Sequence, residues 1–177
     1  MMLEEVILVD ENDTVLGKME KMQAHVTGAL HRAISVFVFN GGGQLLLQKR
    51  AGTKYHSPGK WSNTCCTHPH PGETNAIAAR RRLNEEMGMD CELIDWCDLL
   101  YRAEFDNGLI EHEYDHIFIG VTNRLPVLNP AEAEAYEYVE MDRLKRLIEE
   151  YPERYTPWLS LCLEKIDLKR KENESLA

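Results

Sequence analysis

The sequence of 177 residues, 44% of them apolar, suits a single domain with a sizeable core. Twenty basic against thirty acidic residues give a formal net charge of -10, which opposes non-specific binding to nucleic acid or to an anionic membrane surface. Any anionic ligand must therefore be small and held by a local cationic cluster. No apolar run approaches the length of a membrane span, and the start MMLEEVILVD lacks the basic and apolar regions of a signal peptide, so the expected setting is cytoplasmic. Cys65, Cys66, Cys91, Cys97 and Cys162 are odd in number and irregularly spaced, which predicts free thiols. Cys91, Cys97 and Cys162 are expected to be small buried hydrophobes, and one of the adjacent pair Cys65 and Cys66 is a candidate reactive thiol.

In chain order, the short apolar runs Val6 to Val9 and Thr14 to Leu16 flank Asp-Glu-Asn-Asp and predict a β-hairpin. The next segment is broken by Gly28, so Lys21, His25 and His31 are expected on a turn or short helix leading into a strand. Ala33 to Asn40 and Gln44 to Lys49, joined through three glycines, predict a second and more deeply buried hairpin. Arg50 to Lys60 then places Arg50, Lys54, His56 and Lys60 in one basic loop. Such a loop in an acidic chain is either a small-anion site or simply solvated.

Trp61 to Gly88 carries the densest chemistry. Up to Pro71 it is punctuated as a structured loop, and from Gly72 and Glu73 it follows a helical pattern that closes at Gly88. Ala79, Leu83 and Met87 recur every four residues and face a core, leaving Arg82 and Glu86 one turn apart on another face. That pair is either a solvated ion pair worth about 0.3 kcal/mol or part of a diphosphate-and-metal site.

Cys91 to Ile94 and Asp98 to Phe105 read as strands, the second carrying Tyr101 and Arg102, and Asp106-Asn107-Gly108 turns into a strand from Leu109 to Val121. There Glu111 and Glu113 share one face, with His112 and Tyr114 on the other. The apolar run Ile117 to Val121 makes this a buried strand whose two carboxylates need a partner, for which His25, His31 and His68 are candidates. Glu137 to Met141 is a further expected strand, followed by a helix from Asp142 to Glu150 with Leu144, Leu147 and Ile148 on its core side. Thr156-Pro157-Trp158 opens a final helix, and the charged tail from Lys169 to Ala177 is expected to fray.

Thr67 to Met89 fits a degenerate Nudix box, G-x5-E-x7-R-E-U-x-E-E-x-G-U with U apolar. Glu73, Arg81, Leu83, Glu85, Glu86, Gly88 and Met89 stand where the pattern asks, while Thr67 replaces the first Gly and Arg82 the first Glu of R-E-U. The latter change removes a metal ligand of Nudix hydrolases and adds a cation. From Leu16 to Trp158 the chain instead resembles the type I isopentenyl-diphosphate isomerase family. The marks are H-x5-H at His25 and His31, W-x-N-x-x-C-x-H-P at Trp61 to Pro69, R-R-x-x-x-E at Arg81 to Glu86, and Y-R with E-x-E at Tyr101 to Glu113.

That resemblance implies one compact α/β domain of the Nudix type, mixed β-sheets flanked by α-helices. Its N-terminal strands would span about 1–30, the Nudix core about 31–150 and the C-terminal helix about 156–172. It implies one divalent ion, Mn²⁺, Mg²⁺ or Zn²⁺, held by His25, His31, His68, Glu111 and Glu113, and Mg²⁺ bridging Glu86 and the main-chain oxygen of Cys66 to a substrate diphosphate. Lys21, Arg50, Lys54 and Arg82 would neutralise phosphate charge. Cys66 and Glu113 would move protons, with Tyr101 hydrogen-bonding the carboxyl and Trp158 covering the pocket and facing a carbocation through its π-face. The implied substrate is a small allylic or homoallylic diphosphate, the implied assembly a monomer or homodimer, with no nucleic acid or membrane partner. The competing expectations are a Nudix pyrophosphohydrolase acting on a nucleoside diphosphate derivative and a non-catalytic metal-binding domain.

Overall fold

The computed structural model describes residues 4–54 and 56–175. β1 (Glu5–Val9) and β2 (Val15–Glu20) form the expected N-terminal hairpin, turned by Asp10, whose carboxylate accepts from the N–H groups of Asn12 and Thr14 at 2.9 Å each. α1 (Lys21–Thr27) begins where the Glu20 side chain accepts from Met22 and Gln23. It ends at Gly28, whose φ of 67° is a left-handed conformation that favours glycine. This turn sends the chain directly into β3 (His31–Phe39).

β3 is the hub of the sheet. It pairs in parallel with β8 (Ile110–Val121), from His31 opposite Glu113 to Phe39 opposite Val121. It also pairs antiparallel with β6 (Cys65–Thr67), which puts Ser35 opposite Cys66. β4 (Leu45–Arg50) takes β5 (Trp61–Ser62) and β9 (Ala133–Val139) as antiparallel partners, and β7 (Leu93–Glu104) pairs along β8 with Tyr101 opposite Glu113. Alternation along β3 divides the core. Ile34, Val36 and Val38 pack against Ala78, Ala79, Leu83 and Met87 of α2 (Asn75–Met87), while Phe37 joins Ile117, Trp158, Leu159 and Leu163 on the side of α4 (Pro157–Ser175). α3 (Met141–Glu150) buries Leu144 in the second cluster, with Leu147 and Ile148 partly buried against it.

Four expectations are corrected. The second hairpin exists only at its mouth, since β3 and β4 pair at Phe39 and Leu45 and then diverge to different partners. The two strands expected after α2 are one, β7, with a register shift between Asp95 and Cys97 that lets a twelve-residue strand bend along β8. The tail from Lys169 is helical as far as Ser175, with an Arg170–Glu174 ion pair, and the last two residues of that expectation, Leu176 and Ala177, lie outside the described residues. Cys91 and Cys97 are only half-buried, whereas Cys162 is buried as expected. Among the described residues no helix is long and apolar enough to cross a membrane.

α2 is positioned by both its ends. Gly88 has φ 61°, and a Cβ there would lie 2.6 Å from the carbonyl oxygen of Val127, so both conformation and close approach demand glycine. Upstream, Glu73 receives Arg81 in a two-pronged pair at 2.7 and 2.9 Å and accepts the N–H of His70 at 2.9 Å. The Arg81 guanidinium holds the Glu73 carboxyl below the usual carboxylate range. A lowered folded-state pKa stabilises the fold above the unfolded value, and the gain is lost as pH falls through the folded one. Glu73→Gln should therefore cost about 1 kcal/mol at pH 7, with a difference in urea midpoint that shrinks as pH drops below 4.5. A difference independent of pH would remove the ion pair from the account.

Candidate functional site

Parallel pairing of β3 with β8 sets His31 beside Glu113, α1 delivers His25 from above, and the segment after β6 supplies His68. Ligand atoms of these four side chains lie within 4.8 Å of one another, and all four are buried. The ring centroids are 4.9 Å apart for His25 and His31, 4.9 Å for His31 and His68, and 5.5 Å for His25 and His68. The main chain sets two of the rings. Nδ1–H of His25 donates to the Lys21 carbonyl at 2.7 Å and Nδ1–H of His31 to the Ala29 carbonyl at 2.8 Å. A carbonyl only accepts, so each neutral ring carries its lone pair on Nε2, the arrangement a metal-ligating imidazole needs.

Glu113 Oε1 lies 2.9 Å from His68 Nε2 and 3.5 Å from His31 Nε2, while its Oε2 accepts the Tyr101 hydroxyl. Burial alone would raise this carboxyl, but His31 and His68 outweigh it and hold Glu113 well below the usual value. Burial pulls His68 down to about 3 and also lowers His25. At His31 burial is overcome by Glu113, and the imidazole rises. A compact set of three imidazoles and an ionised carboxylate fits a divalent cation.

Glu111, the fifth residue of the expected set, is tied to the other four through Tyr101 and shares His25 with them. Two residues along a strand displace it by about 6.6 Å, and it meets His56 at 2.9 Å in a second group with His25. The Tyr101 hydroxyl, at 2.7 Å from Glu111 Oε2, joins the two groups. His56 is the residue sequence reasoning did not assign. It stood among basic loop residues, and only the return of β4 and β9 brings that loop over β8.

Next to this cluster lies a cavity of about 250 Å³ bordered by Cys66, Tyr101, Glu113 and Trp158 and by Lys21, Arg50, Lys54, Arg82 and Glu86. All the expected substrate and proton-transfer residues therefore face one space. Burial, reinforced by the Asp115 carboxylate, pushes the Cys66 thiol up to about 12, so the sulfur carries its proton at neutral pH. Burial and the flanking carboxylates push Tyr101 well above its ordinary value, keeping it a hydrogen-bond donor.

The cationic part of this lining is internally paired. Arg82 Nε donates to Glu86 at 2.6 Å and its NH2 group to Glu132 at 2.7 Å; Lys54 donates to the same Glu132 oxygen, and Lys21 pairs with Glu4 at 3.0 Å. Glu132 had no recognisable signal in the sequence, because it reaches Lys54 and Arg82 from the start of β9, far along the chain. Glu86 is buried, held in place by Arg82 and Gln48, so the pair with Arg82 is no solvated surface pair. Arg50 is buried as well, its guanidinium 5.6 Å above the Trp158 ring. Its Nε finds no hydrogen-bond partner among the described residues. A buried guanidinium with an unused donor at a cavity is suited to an anion. Of the Nudix-box glutamates, Glu85 is exposed and pairs with Arg81 and Arg82, which leaves Glu86 facing the cavity.

Residues 29–160 match the model of the NUDIX domain. The chain is 53% identical over 93% of its length to isopentenyl-diphosphate Delta-isomerase 2 of Aromatoleum aromaticum, covering 87% of that protein. It is 54% identical over 94% of its length to an isopentenyl-diphosphate Delta-isomerase of Pectobacterium atrosepticum, covering 93% of it. Among solved structures, a Deinococcus radiodurans protein superposes with a TM-score of 0.78 at 20% identity, covering 92% of this chain and 99% of that one. A MutT NUDIX hydrolase of Burkholderia pseudomallei gives 0.62 at 21%, covering 77% and 98%. At these identities the two structures speak for the fold alone.

Proposed function

Because the chain belongs to the Nudix-domain family, among its isopentenyl-diphosphate Delta-isomerases, we infer that it interconverts isopentenyl and dimethylallyl diphosphates. The observation that carries the reading is that the Cys66 thiol and the Glu113 carboxylate border one cavity that four cations, Lys21, Arg50, Lys54 and Arg82, also line. A chain of net charge -10 concentrates positive charge there for a small anion.

Lys21, Arg50, Lys54 and Arg82 bind the diphosphate, which requires Glu4 and Glu132 to yield part of their present contacts. Their binding energy orients the five-carbon tail toward Cys66 and Glu113. A proton added at the terminal methylene carbon of isopentenyl diphosphate leaves a tertiary carbocation at C3, and loss of a proton from C2 forms the new double bond. Proton count and electrons balance without a redox partner. Cys66 and Glu113 exchange these two protons, each giving in one direction of the reversible reaction and taking in the other. Tyr101 donates to Glu113 and steadies the carboxylate, and Trp158 excludes water and faces the cation with its ring.

Divalent metal fits the donor sets described above. His25, His31, His68, Glu111 and Glu113 would hold Mn²⁺, Mg²⁺ or Zn²⁺, and Glu86 with the main-chain oxygen of Cys66, both residues lining the same cavity, would hold Mg²⁺ at the diphosphate. Such ions supply charge neutralisation and ligand alignment. Five free thiols accord with a reducing, cytoplasmic setting.

Incubation with isopentenyl diphosphate and Mg²⁺ in deuterated water should yield dimethylallyl diphosphate carrying solvent deuterium. Phosphate release with no deuterium in the carbon skeleton would replace this reading by the pyrophosphohydrolase.

A further inference from the structure

Asn63 is completely buried. Its Oδ1 accepts from the Cys66 thiol at 3.2 Å, the Trp158 indole N–H at 3.1 Å and the Ser62 hydroxyl at 3.0 Å. Its Nδ2 donates to the carbonyls of Val36 at 3.1 Å and Cys65 at 2.9 Å. Two carbonyls accept only from the NH₂ end, so the amide has one permitted orientation and its oxygen must face the thiol and the indole. The surrounding ties fix α4 to the same point: Thr156 shares a hydroxyl contact with Ser62 at 3.0 Å and donates its N–H to Trp61 at 2.9 Å.

We propose that Asn63 is a positioning residue for the isomerisation, its single amide oxygen fixing both the rotamer of Cys66, and so the place of its sulfur at the cavity wall, and the seat of the Trp158 ring. The proposal rests on the roles given above to Cys66 and Trp158. Without this partner the Cys66 side chain would spread over the staggered rotamers about Cα–Cβ. The remaining neighbour, Ser35 Oγ, stands 3.7 Å away and donates to Asp115 at 2.7 Å. A sulfur spread over several rotamers spends less time at the cavity wall, from which its proton turns off Asn63 toward the reacting carbon. An indole without its hydrogen bond also sits less firmly over the cavity. None of these hydrogen bonds of Asn63 goes to Lys21, Arg50, Lys54 or Arg82, so the loss should fall more on kcat than on KM.

The test uses the metal-loaded enzyme. Asn63→Ala should lower kcat about tenfold with KM for isopentenyl diphosphate changed less than about threefold. Alkylation of Cys66 by iodoacetamide, followed on its own peptide, should quicken several-fold as the sulfur loses its partner, while the neighbouring buried Cys162 stays unreactive. Asn63→Ser keeps a small polar group in the same pocket but withdraws the amide oxygen from the sulfur and the indole, so it should lower kcat several-fold with KM changed less than about threefold; this variant decides the matter if Asn63→Ala does not fold. Unchanged kcat in both variants overturns the proposal. So does a fall in kcat accompanied by an equal rise in KM and exposure of Cys162, which would mark Asn63 as a packing residue. A wild-type enzyme that forms no dimethylallyl diphosphate fails at the earlier reading and is distinguished from either result.

Discussion

Replacing Cys66 by alanine is expected to lower turnover about a thousandfold, in the range of a lost proton-transfer group, while fold and metal content persist. The fold should tolerate the change because backbone pairing of β6 with β3, from Val36 opposite Cys65 to Ile34 opposite Thr67, places the residue independently of its side chain. Removal of one sulfur beside Ser35 and Asn63 should cost about 1 kcal/mol. An unactivated alkene is a very weak base, so without this group the carbon skeleton has lost one of its two proton carriers and water must substitute in a site that excludes it. Deuterium incorporation into the residual product reads the chemistry directly, and circular dichroism with metal analysis reads the fold. Near-normal turnover in a folded, metal-loaded variant would disqualify the thiol.

Glu113→Gln should damage two properties together, turnover by about a thousandfold and divalent-metal retention by at least about tenfold. One carboxylate serves both purposes, with Oε1 turned to His68 and His31 and Oε2 to Tyr101. The amide keeps the size, but it loses the charge that brings the imidazoles and a cation together, and its NH₂ group must face either an imidazole nitrogen or the Tyr101 hydroxyl. Metal titration followed by turnover at saturating metal separates the effects. If saturating metal restores full activity, Glu113 holds the cation and moves no proton. If metal retention is unchanged, the imidazole cluster functions without it.

Much of this was legible in the linear chain because local physics carries it. The four-residue spacing of Ala79, Leu83 and Met87 buries one face of α2, and the two-residue spacing of Glu111 and Glu113 puts both carboxylates on the inner face of β8. The N-terminal hairpin, the short helix carrying His25 and the helix opening at Pro157 follow from turn and cap residues in the same way. Resemblance of separated motifs then united residues that periodicity could only place on elements.

The sequence by itself determined which side chains face inward and which chemistry they offer, since those depend on the pitch of a helix or strand and on residue type. Tertiary structure alone decided the company each one keeps. Pairing of β3 with β8 in parallel brought His31 to Glu113, and the divergence of β4 from β3 left His56, beyond the end of β4, to meet Glu111 of β8. Glu132 came to bridge Lys54 and Arg82 through the return of β9, and Asn63 came to join a thiol three residues away to an indole ninety-five residues away. These meetings depend on strand order and on the docking of α4, which bring distant segments into register, and no spacing within any one segment encodes them.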